Sequence, residues 1–199
     1  MKYPNTKKLI QERALDYFSQ KGYSGASIRQ IARAVGIRES AIYNHYKSKE
    51  EIFNAILTEF KNRAIGKNIL SDDLLEELDN PEKFLKDFAK KLIDYWNTEE
   101  ERKFIRLLLM EQFTKIGSKE LSTTEYLAEL RSICKLIFSE MIKNGIIKKL
   151  DPSFLADEFT AFLFLLRTEY MSGNSNTATT KIYELSNKHI EFIWNAVKE

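Results

Sequence analysis

The sequence predicts an all-α protein of about nine helices, arranged in one or two domains. Its 199 residues include only 7 Gly and 3 Pro, so long stretches lack the residues that interrupt helices. Apolar residues recur at helical spacing, and no segment shows sustained alternation of apolar and polar residues. Thirteen Phe, nine Tyr and two Trp supply large apolar areas for a buried core.

The first two helices have recognisable boundaries. An apolar stripe predicts a first helix over Thr6–Gln20, which Gly22 ends in a left-handed conformation. Ser27 and Gln30 match a capping box, in which each side chain bonds the other residue's backbone amide. They predict a second helix of about two turns that stops at Gly36. The predicted N-terminal capping residues are Asn5 or Thr6, Ser27, Ser48 with Glu51, Asn80 with Pro81, and Thr98 with Glu101.

The remaining helices follow from the same signals of periodicity, capping and Gly or Pro punctuation. The segment 71–80 is acidic and fits either a short helix or a loop, and 172–179 is predicted to be a loop. The other predicted helices are Glu39–Tyr46, Ser48–Asn68, Pro81–Asn97, one from Thr98 that ends at Ile116–Ser118, Ser122–Lys143, Pro152–Met171 and Thr180–Val197.

The charge of the chain is distributed unevenly. Net charge is +2, yet residues 1–49 hold ten basic and three acidic residues, a net charge of +7. The other 150 residues hold 21 basic and 26 acidic residues, a net charge of −5. A basic head on an acidic body is expected when only the head meets a polyanion such as nucleic acid.

Several classes of protein fit the composition poorly. Cys134 is the one cysteine, so no intramolecular disulfide is expected, and its apolar surroundings favour a buried core thiol over a redox sensor. No apolar stretch reaches the ~18–20 residues of a membrane span, and the N-terminus has no signal segment. We therefore expect a cytoplasmic protein without a membrane partner.

The second and third helices, joined by a tight turn at Gly36, form a predicted helix-turn-helix. In such a motif the second helix lies in the major groove of DNA, so it needs one apolar face and one polar face. Ala41 and Ile42, with Tyr46, are expected to point inward. The side chains left on the outer face are those of Arg38, Glu39, Ser40, Tyr43, Asn44 and His45.

The stretch from Thr6 to Leu57 resembles the DNA-binding domain of the TetR family, in order and spacing and without a gap. The remaining three quarters of the chain match this family in helix number and length alone. The resemblance rests on the first helix ending in Phe18 and Gly22-Tyr23, on Ser27-Ile28-Arg29-Gln30-Ile31-Ala32, on Val35-Gly36-Ile37, and on Ala41-Ile42-Tyr43-Asn44-His45-Tyr46-Lys47-Ser48-Lys49-Glu50-Glu51-Ile52.

This resemblance implies roles for individual residues. Glu39 departs from an otherwise basic or neutral surface, since a carboxylate repels phosphate but can accept a hydrogen bond from cytosine N4. Tyr46 is more consistent with a core position and Arg33 with a solvated one. The implied base contacts are Arg29, Glu39, Ser40 and Asn44; the implied phosphate contacts are Tyr43, His45 and Lys49, with Lys47 and Arg38 as further candidates.

The resemblance also implies a second domain for dimerisation and effector binding, with the boundaries 1–49 and 50–199. The dimer would pack its last two long helices as a four-helix bundle and bind a near-palindromic operator. The effector would be a small apolar or amphipathic molecule, although an aromatic stripe is more often plain core. The candidate ligand contacts are Tyr95, Trp96, Arg106, Met110, Phe113, Phe138, Met141, Phe159, Phe162, Phe164 and Arg167.

Two of these candidates, Arg106 and Arg167, are charges within apolar runs and therefore need a partner. That partner is either a ligand or one of the carboxylates of Glu111, Glu158 and Glu169.

Two other classes of function are weighed against a regulator. An enzyme is disfavoured, because the chain has two His and one Cys and lacks a catalytic triad spacing, a phosphate-binding Gly-rich loop or a metal-binding pattern. No catalytic residue, metal or cofactor is therefore expected. A helical protein-interaction adaptor is the alternative, but it would leave the +7 head unexplained. Within the TetR family, a repressor is more usual than an activator.

Overall fold

The computed structural model describes residues 6–63, 65–117, 119–170 and 176–199. Eleven α-helices and a two-stranded ladder account for most of these residues. The helices are α1 (Thr6–Gly25), α2 (Ile28–Val35), α3 (Glu39–Ile42), α4 (Lys49–Lys61), α5 (Ile65–Ile69), α6 (Asp72–Leu75), α7 (Pro81–Trp96), α8 (Glu99–Glu111), α9 (Thr123–Lys143), α10 (Pro152–Tyr170) and α11 (Asn176–Val197); a 3₁₀ turn spans Glu76–Asp79, and strands β1 (Lys115–Ile116) and β2 (Lys119–Glu120) pair antiparallel.

The all-α prediction is confirmed, and all nine predicted helices are present within the described residues. The short helix α5 lies largely within the predicted fourth helix. In the segment 71–80, for which the sequence allowed a short helix or a loop, α6 and the 3₁₀ turn are present. None of the helices in the described part of the chain combines the length and hydropathy that a membrane span requires.

The chain forms two compact units. The first consists of the described residues up to Arg63 together with Glu99–Tyr126. The second consists of the described residues of 64–98 and 127–199. These units divide the chain differently from the predicted domains, because α8 packs against α1 and so belongs with the N-terminal helices. The boundary between residues 49 and 50 stays a prediction.

The core of the first unit joins α1 to α2, α4 and α8, and α3 packs on α2. Its centre is an aromatic cluster in which the ring centroid of Phe53 lies 5.9 Å from that of Phe18 and 5.1 Å from that of Tyr23. Around this cluster the periodic apolar residues predicted from the sequence are buried, and this burial drives the helices together. The other buried side chains include Ile10, Ala14, Ile31, Ala32, Val35, Ile42, Ile52 and Ile56.

The core of the second unit is built by α7, α9, α10 and α11. A chain of aromatic contacts crosses it, with centroid distances of 6.2 Å between Phe84 and Phe88, 6.0 Å between Phe88 and Phe159, and 6.0 Å between Phe159 and Phe138. Apolar residues at helical spacing on all four helices meet around these rings, as the sequence pattern predicts for packed helices.

Several predicted boundaries are wrong. The third helix is regular only over Glu39–Ile42, and a turn follows it to His45. Ala41, predicted to point inward, is only half-buried. The fourth ends at Lys61 instead of Asn68, because a break precedes α5. The helix from Thr98 was predicted to continue to Ile116, but it ends at Glu111 and a β-ladder follows.

Near the C-terminus, the predicted loop 172–179 is wrong at residues 176–179, which form the first turn of α11. Residues 172–175 lie outside the described residues, as do the predicted end of the eighth helix at Met171, Ser118 at the predicted end of the helix from Thr98, and the capping candidate Asn5.

The buried position of Cys134 is confirmed. Its side chain lies on α9 in the core, with the Thr160 hydroxyl 3.9 Å from its Sγ atom, and burial raises the pKa of the thiol to about 12. A thiol with such a pKa is almost entirely protonated at neutral pH, and the thiolate is the reactive form.

Because Cys134 is both buried and protonated, we predict that the folded protein does not react with an aromatic disulfide reagent at pH 8 within minutes. Denaturant should release one reactive thiol per chain. A stoichiometric reaction of the folded protein at the rate of a free thiol would contradict the burial of α9.

Candidate DNA-binding surface

The helix α2 and the turn that follows it are fixed by local hydrogen bonds. The Ser27 hydroxyl accepts from the Gln30 amide at 3.3 Å, while the Gln30 side-chain oxygen accepts from the Ser27 amide at 3.0 Å, so the predicted capping box is present. Gly36 ends α2 with φ 78° and ψ 27°, and its left-handed conformation satisfies carbonyls of the last turn. The chain therefore leaves α2 at a defined angle and enters α3.

The segment from Arg38 to Tyr46 has one buried and one exposed face. Ile42 and Tyr46 are almost fully buried, and the Tyr46 hydroxyl donates to the Lys7 carbonyl oxygen at 3.3 Å. These two anchors hold the segment against α1 and α2, as predicted for Tyr46. The side chains on the exposed face are Arg38, Glu39, Ser40, Tyr43 and Asn44, with Arg29 and Lys47 exposed on its flanks and His45 partly exposed.

Three polar side chains of this exposed face have no partner in the part of the chain that the structure describes. Among the described residues, Arg29, Arg38 and Asn44 make no side-chain hydrogen bond or ion pair. Two cations elsewhere in the same unit are paired: Lys103 contacts Asp16, and Arg63 contacts several glutamates. The exposed face therefore keeps its donors for an external partner.

Lys49, which the sequence predicts to bind a phosphate, is engaged within the protein, and its phosphate contact stays a prediction. Its ammonium donates to the carbonyl oxygens of Tyr23 and Ala26, both at 2.8 Å, and lies 4.3 Å from the centroid of the Tyr23 ring. Burial lowers the pKa of Lys49. Two of the three ammonium protons are therefore used to hold the last turn of α1, after the kink at Gly22, and the residues that precede α2. The prediction from sequence missed this role.

A buried carboxylate completes the attachment of that turn. Glu111, the last residue of α8, accepts a 2.8 Å hydrogen bond from the Tyr23 amide and is nearly inaccessible to solvent. A Cβ atom at Gly22 would lie 2.8 Å from its Oε1 atom. Gly22 has the positive φ predicted from sequence, 70°, but its ψ of 170° is not the left-handed helical value. We call Tyr23, Lys49 and Glu111 the turn clamp.

The first turn of α4 is capped in part as predicted. The Ser48 hydroxyl accepts from the Glu51 amide at 3.1 Å. The Glu51 carboxylate, however, accepts from the backbone amide of Lys47, so the reciprocal bond to the Ser48 amide is replaced by one to the preceding residue. The Glu51 carboxylate, which occupies the Lys47 amide, also competes with any phosphate at this end of α4.

The candidate effector contacts fall in two different units. Arg106, Met110 and Phe113 are exposed residues of the first unit, and Arg106 is thus not a buried charge. In the second unit, Tyr95, Phe162 and Phe164 are partly exposed, while the buried candidates there are Trp96, Phe138, Met141, Phe159 and Arg167.

Of the buried candidates, Phe138 and Phe159 pack on each other in the core. Trp96 and Arg167 instead line a crevice of about 10 Å³, which has room for no more than a water molecule. The structure thus does not bring the whole predicted set together.

The residues that form this surface match a known protein family. Residues 10–56, which span the predicted helix-turn-helix and its flanking helices, match the family model of bacterial regulatory proteins of the tetR family. Residues 10–56 form a DNA-binding domain of the TetR type. The chain is a DNA-binding transcriptional regulator, and the exposed face of α2 and α3 lies within the matched residues.

Individual relatives agree with this assignment over most of the chain. The HTH-type transcriptional regulator AcrR of Shigella flexneri is 28% identical over 84% of this chain and 75% of its own length. The negative transcriptional regulator IcaR of the Staphylococcus epidermidis biofilm operon is 26% identical over 84% of both chains. The structure of AibR with isovaleryl coenzyme A and operator DNA shares the fold, with a TM-score of 0.66 and 19% identity over 92% of this chain and 96% of that one.

The turn clamp predicts how two neighbouring lysines differ. Replacing Lys49 by Met keeps the apolar stem but leaves two carbonyls without their charged donor, so the free energy of unfolding should fall by about 1–2 kcal/mol. Lys47→Met is the matched control, because the Lys47 side chain is exposed and its loss should change stability by less than about 0.5 kcal/mol. Chemical denaturation of both variants makes the comparison. Equal stabilities would contradict the clamp.

Proposed function

We propose that this chain is an effector-responsive repressor that binds a near-palindromic operator as a homodimer and leaves it when a small molecule binds the second unit. One observation carries the proposal. A basic, polar face is presented by α2 and α3, and its side chains have no partners among the described residues. The repressor role is supported by the relative IcaR, which is named a negative regulator.

The proposed DNA contacts follow from the exposed face. Arg29 would donate two hydrogen bonds to a guanine edge, and Asn44 would bond an adenine edge, since these side chains match those donor and acceptor patterns. Tyr43, His45 and Lys47 would bind phosphates. Lys49 would act mainly through the turn clamp, because two of its protons already bond carbonyl oxygens.

Three more of the predicted DNA-contact residues have a proposed role. Arg38, at the N-cap of α3, would add a phosphate contact, and Ser40 would donate to or accept from a base edge. Glu39 is exposed on the same face, and we propose that it accepts from cytosine N4.

Apolar side chains on α10 and α11 support the proposed dimer. Phe154 and Leu165 on α10 are 60% and 49% exposed, and Phe192 on α11 is 73% exposed. Large apolar residues that remain exposed in a single chain mark a surface that another chain covers. Because the two helices pack on each other, a two-fold pairing of this face would produce a four-helix bundle.

The effector response is supported by the neighbour AibR, whose structure was determined with an acyl coenzyme A and operator DNA. An effector releases DNA only if it binds the DNA-free arrangement more tightly than the DNA-bound one. In the first unit, the turn clamp is a direct link between the end of α8 and the turn that precedes α2. Displacement of α8 would therefore move the helix-turn-helix.

The proposed operator contacts predict unequal effects of two arginines on one helix. Arg29→Ala should weaken binding to the preferred duplex by about 1–3 kcal/mol and relax specificity at one base pair per half-site. Asn44→Ala should do the same at a different base pair. Arg33→Ala, on the other end of α2, is the control and should leave specificity unchanged. Fluorescence anisotropy with single-base variants of the duplex measures these effects, and an unchanged base preference in Arg29→Ala would exclude the proposed contact.

The proposed dimer predicts that a charge on the exposed apolar face separates the subunits. Phe192→Lys should give a monomer by light scattering at micromolar concentration, because a buried lysine is costly in an apolar interface. Leu136→Lys is the matched control, since Leu136 is 64% exposed on α9 but outside the α10–α11 face. If the unmodified chain were itself monomeric under these conditions, the dimer proposal would be wrong.

The function as a whole is tested by selecting bound duplexes from a random pool with the unmodified chain. We expect a motif of two inverted half-sites, since the two-fold axis of the dimer is matched by the DNA. Selection of a single half-site would argue against DNA binding by a homodimer. Failure to enrich any sequence would contradict operator recognition.

A further inference from the structure

A groove lies between α7 and α11 in the second unit, and it has about 200 Å³ of space for a small molecule. Its α7 side, where the residues recur at helical spacing, is formed by Lys83, Lys86, Asp87 and Lys90. Its α11 side is formed by Tyr183, Ser186 and Asn187. All seven side chains carry hydrogen-bonding groups, and none of them is among the effector contacts predicted from the sequence.

Ser186 supplies a buried hydroxyl on the wall of this groove. The residue is 1% exposed, and its Oγ atom has no hydrogen-bond partner among the described residues. Nearly all buried polar atoms in folded proteins are paired, so this hydroxyl calls for a partner from outside the chain. A hydroxyl both donates and accepts, and a group that does the same therefore satisfies it best.

The lysines of the groove do not make it a site for an anion. Lys83 and Lys86 each contact two carboxylates, which belong to Glu77, Asp87, Glu82 and Glu191. The three lysines of the groove and these four carboxylates have a net charge of −1. The Asp87 carboxylate is itself on the wall and would repel an anion. The charges therefore favour a neutral ligand.

Several hydrogen-bonding groups remain for such a ligand. In the described part of the chain, Lys90 and Asn187 have no side-chain partner. The Tyr183 hydroxyl donates to the Asp94 carboxylate, which leaves its oxygen able to accept. Donors and acceptors thus occur together on the wall, while the Tyr183 ring and the methylene stems of the lysines supply apolar surface between them.

We propose that this groove binds a neutral polyhydroxylated ring such as a monosaccharide, with its hydroxyls on Ser186, Asn187 and Lys90 and its C–H face on the Tyr183 ring. Each hydroxyl of such a ligand donates and accepts, which matches the mixed groups of the wall. The size agrees as well, because pockets for drug-sized ligands begin at about 300 Å³ and a space of about 200 Å³ suits a single ring.

The groove stays accessible in the proposed dimer. Successive residues of a helix are about 100° apart, so Phe192 of the exposed apolar face lies about 140° around α11 from Asn187. A second chain on that face therefore leaves the α7 side of α11 open to a small molecule.

This assignment rests on the proposed function, because it names the class of effector to which the regulator responds. Selectivity would come from hydrogen bonds. A ring without several hydroxyls would leave the Ser186 hydroxyl unpaired, and a charged derivative would meet the carboxylates around the groove.

The test titrates the unmodified chain with glucose, galactose and myo-inositol. Glucose 6-phosphate is the anionic counterpart, and cyclohexanol is a ring with a single hydroxyl. Isothermal calorimetry gives the affinities, and anisotropy of a bound duplex from the random-pool selection gives the release of DNA. We expect at least one neutral polyol to bind about tenfold more tightly than either comparison compound and to release the duplex. Tighter binding of glucose 6-phosphate or cyclohexanol, or no binding of any neutral polyol, would overturn the assignment.

Ser186→Ala locates the binding, because it removes the buried hydroxyl with little change of shape. It should weaken polyol binding about tenfold. Its melting temperature without ligand should be equal to or above that of the unmodified chain, since the hydroxyl it removes is unpaired in the free protein. Unchanged affinity, or a lower melting temperature, would overturn the proposed role of Ser186.

Asn187→Ala tests the exposed side of the groove and should weaken polyol binding about threefold to tenfold. Asn195→Ala is the matched control, since Asn195 is also an exposed asparagine of α11 but is not among the residues that line the groove. It should bind the polyol like the unmodified chain. Equal affinities in the two variants would contradict the proposed contact of Asn187.

The same samples separate this inference from the proposed function. A chain that binds its selected duplex but no neutral polyol would overturn the ligand assignment alone. Polyol binding that leaves the duplex bound would overturn the role of the polyol as effector. A chain that binds a polyol and shows no preference among duplexes would instead overturn the proposed function.

Discussion

The end of α1, after its kink at Gly22, is held by two opposite charges, and the orientation of the DNA-binding surface depends on it. The Lys49 ammonium bonds the carbonyls of Tyr23 and Ala26, and the Glu111 carboxylate accepts a bond from the Tyr23 amide. Neither charge is fully exposed, so each interaction is stronger than an ion pair in water. Helix α2 begins a few residues later, and α3 depends on α2, so this small polar cluster sets the direction of both.

This arrangement separates two tasks that compete on a short helix. The inner face must be apolar enough to hold α3, which has only about one regular turn and would not be stable alone. The outer face must leave its donors unpaired, because intramolecular partners would compete with DNA. Ile42 and Tyr46 perform the first task, and Arg38 and Asn44 are then available for the second. The exposed polar residues are thus held in place by buried neighbours instead of by their own bonds.

Much of the fold could be predicted because its signals are local. The capping box at Ser27 and the Gly36 end of α2 depend on residues within a few positions of one another, and both are present. The short third helix and the break after Lys61 were not predictable in this way, because their lengths are set by packing between helices. The β-ladder after α8 likewise arises in a segment that has no alternating pattern.

The candidate site was predictable to a different degree in its two halves. On the DNA-binding surface, exposure follows from helical spacing, so Arg29 and Asn44 lie where the pattern places them. The role of Glu111 was missed, because its hydrogen bond to Tyr23 joins residues 88 positions apart. Local sequence patterns do not predict a contact at that separation. For the effector candidates, the sequence could not separate closed core from crevice: Phe138 and Trp96 have similar surroundings in sequence, and their neighbours in space decide the difference.

The salt dependence of duplex binding measures most directly whether the unpaired basic face meets the phosphate backbone. The selected duplex would be titrated with the unmodified chain between about 50 and 300 mM KCl. If each of two heads neutralises about three phosphates, the logarithm of the association constant should fall against the logarithm of salt with a slope of about −5. A slope near zero would mean that the exposed cations of α2 and α3 do not contact phosphate, and the account given for this surface would be wrong.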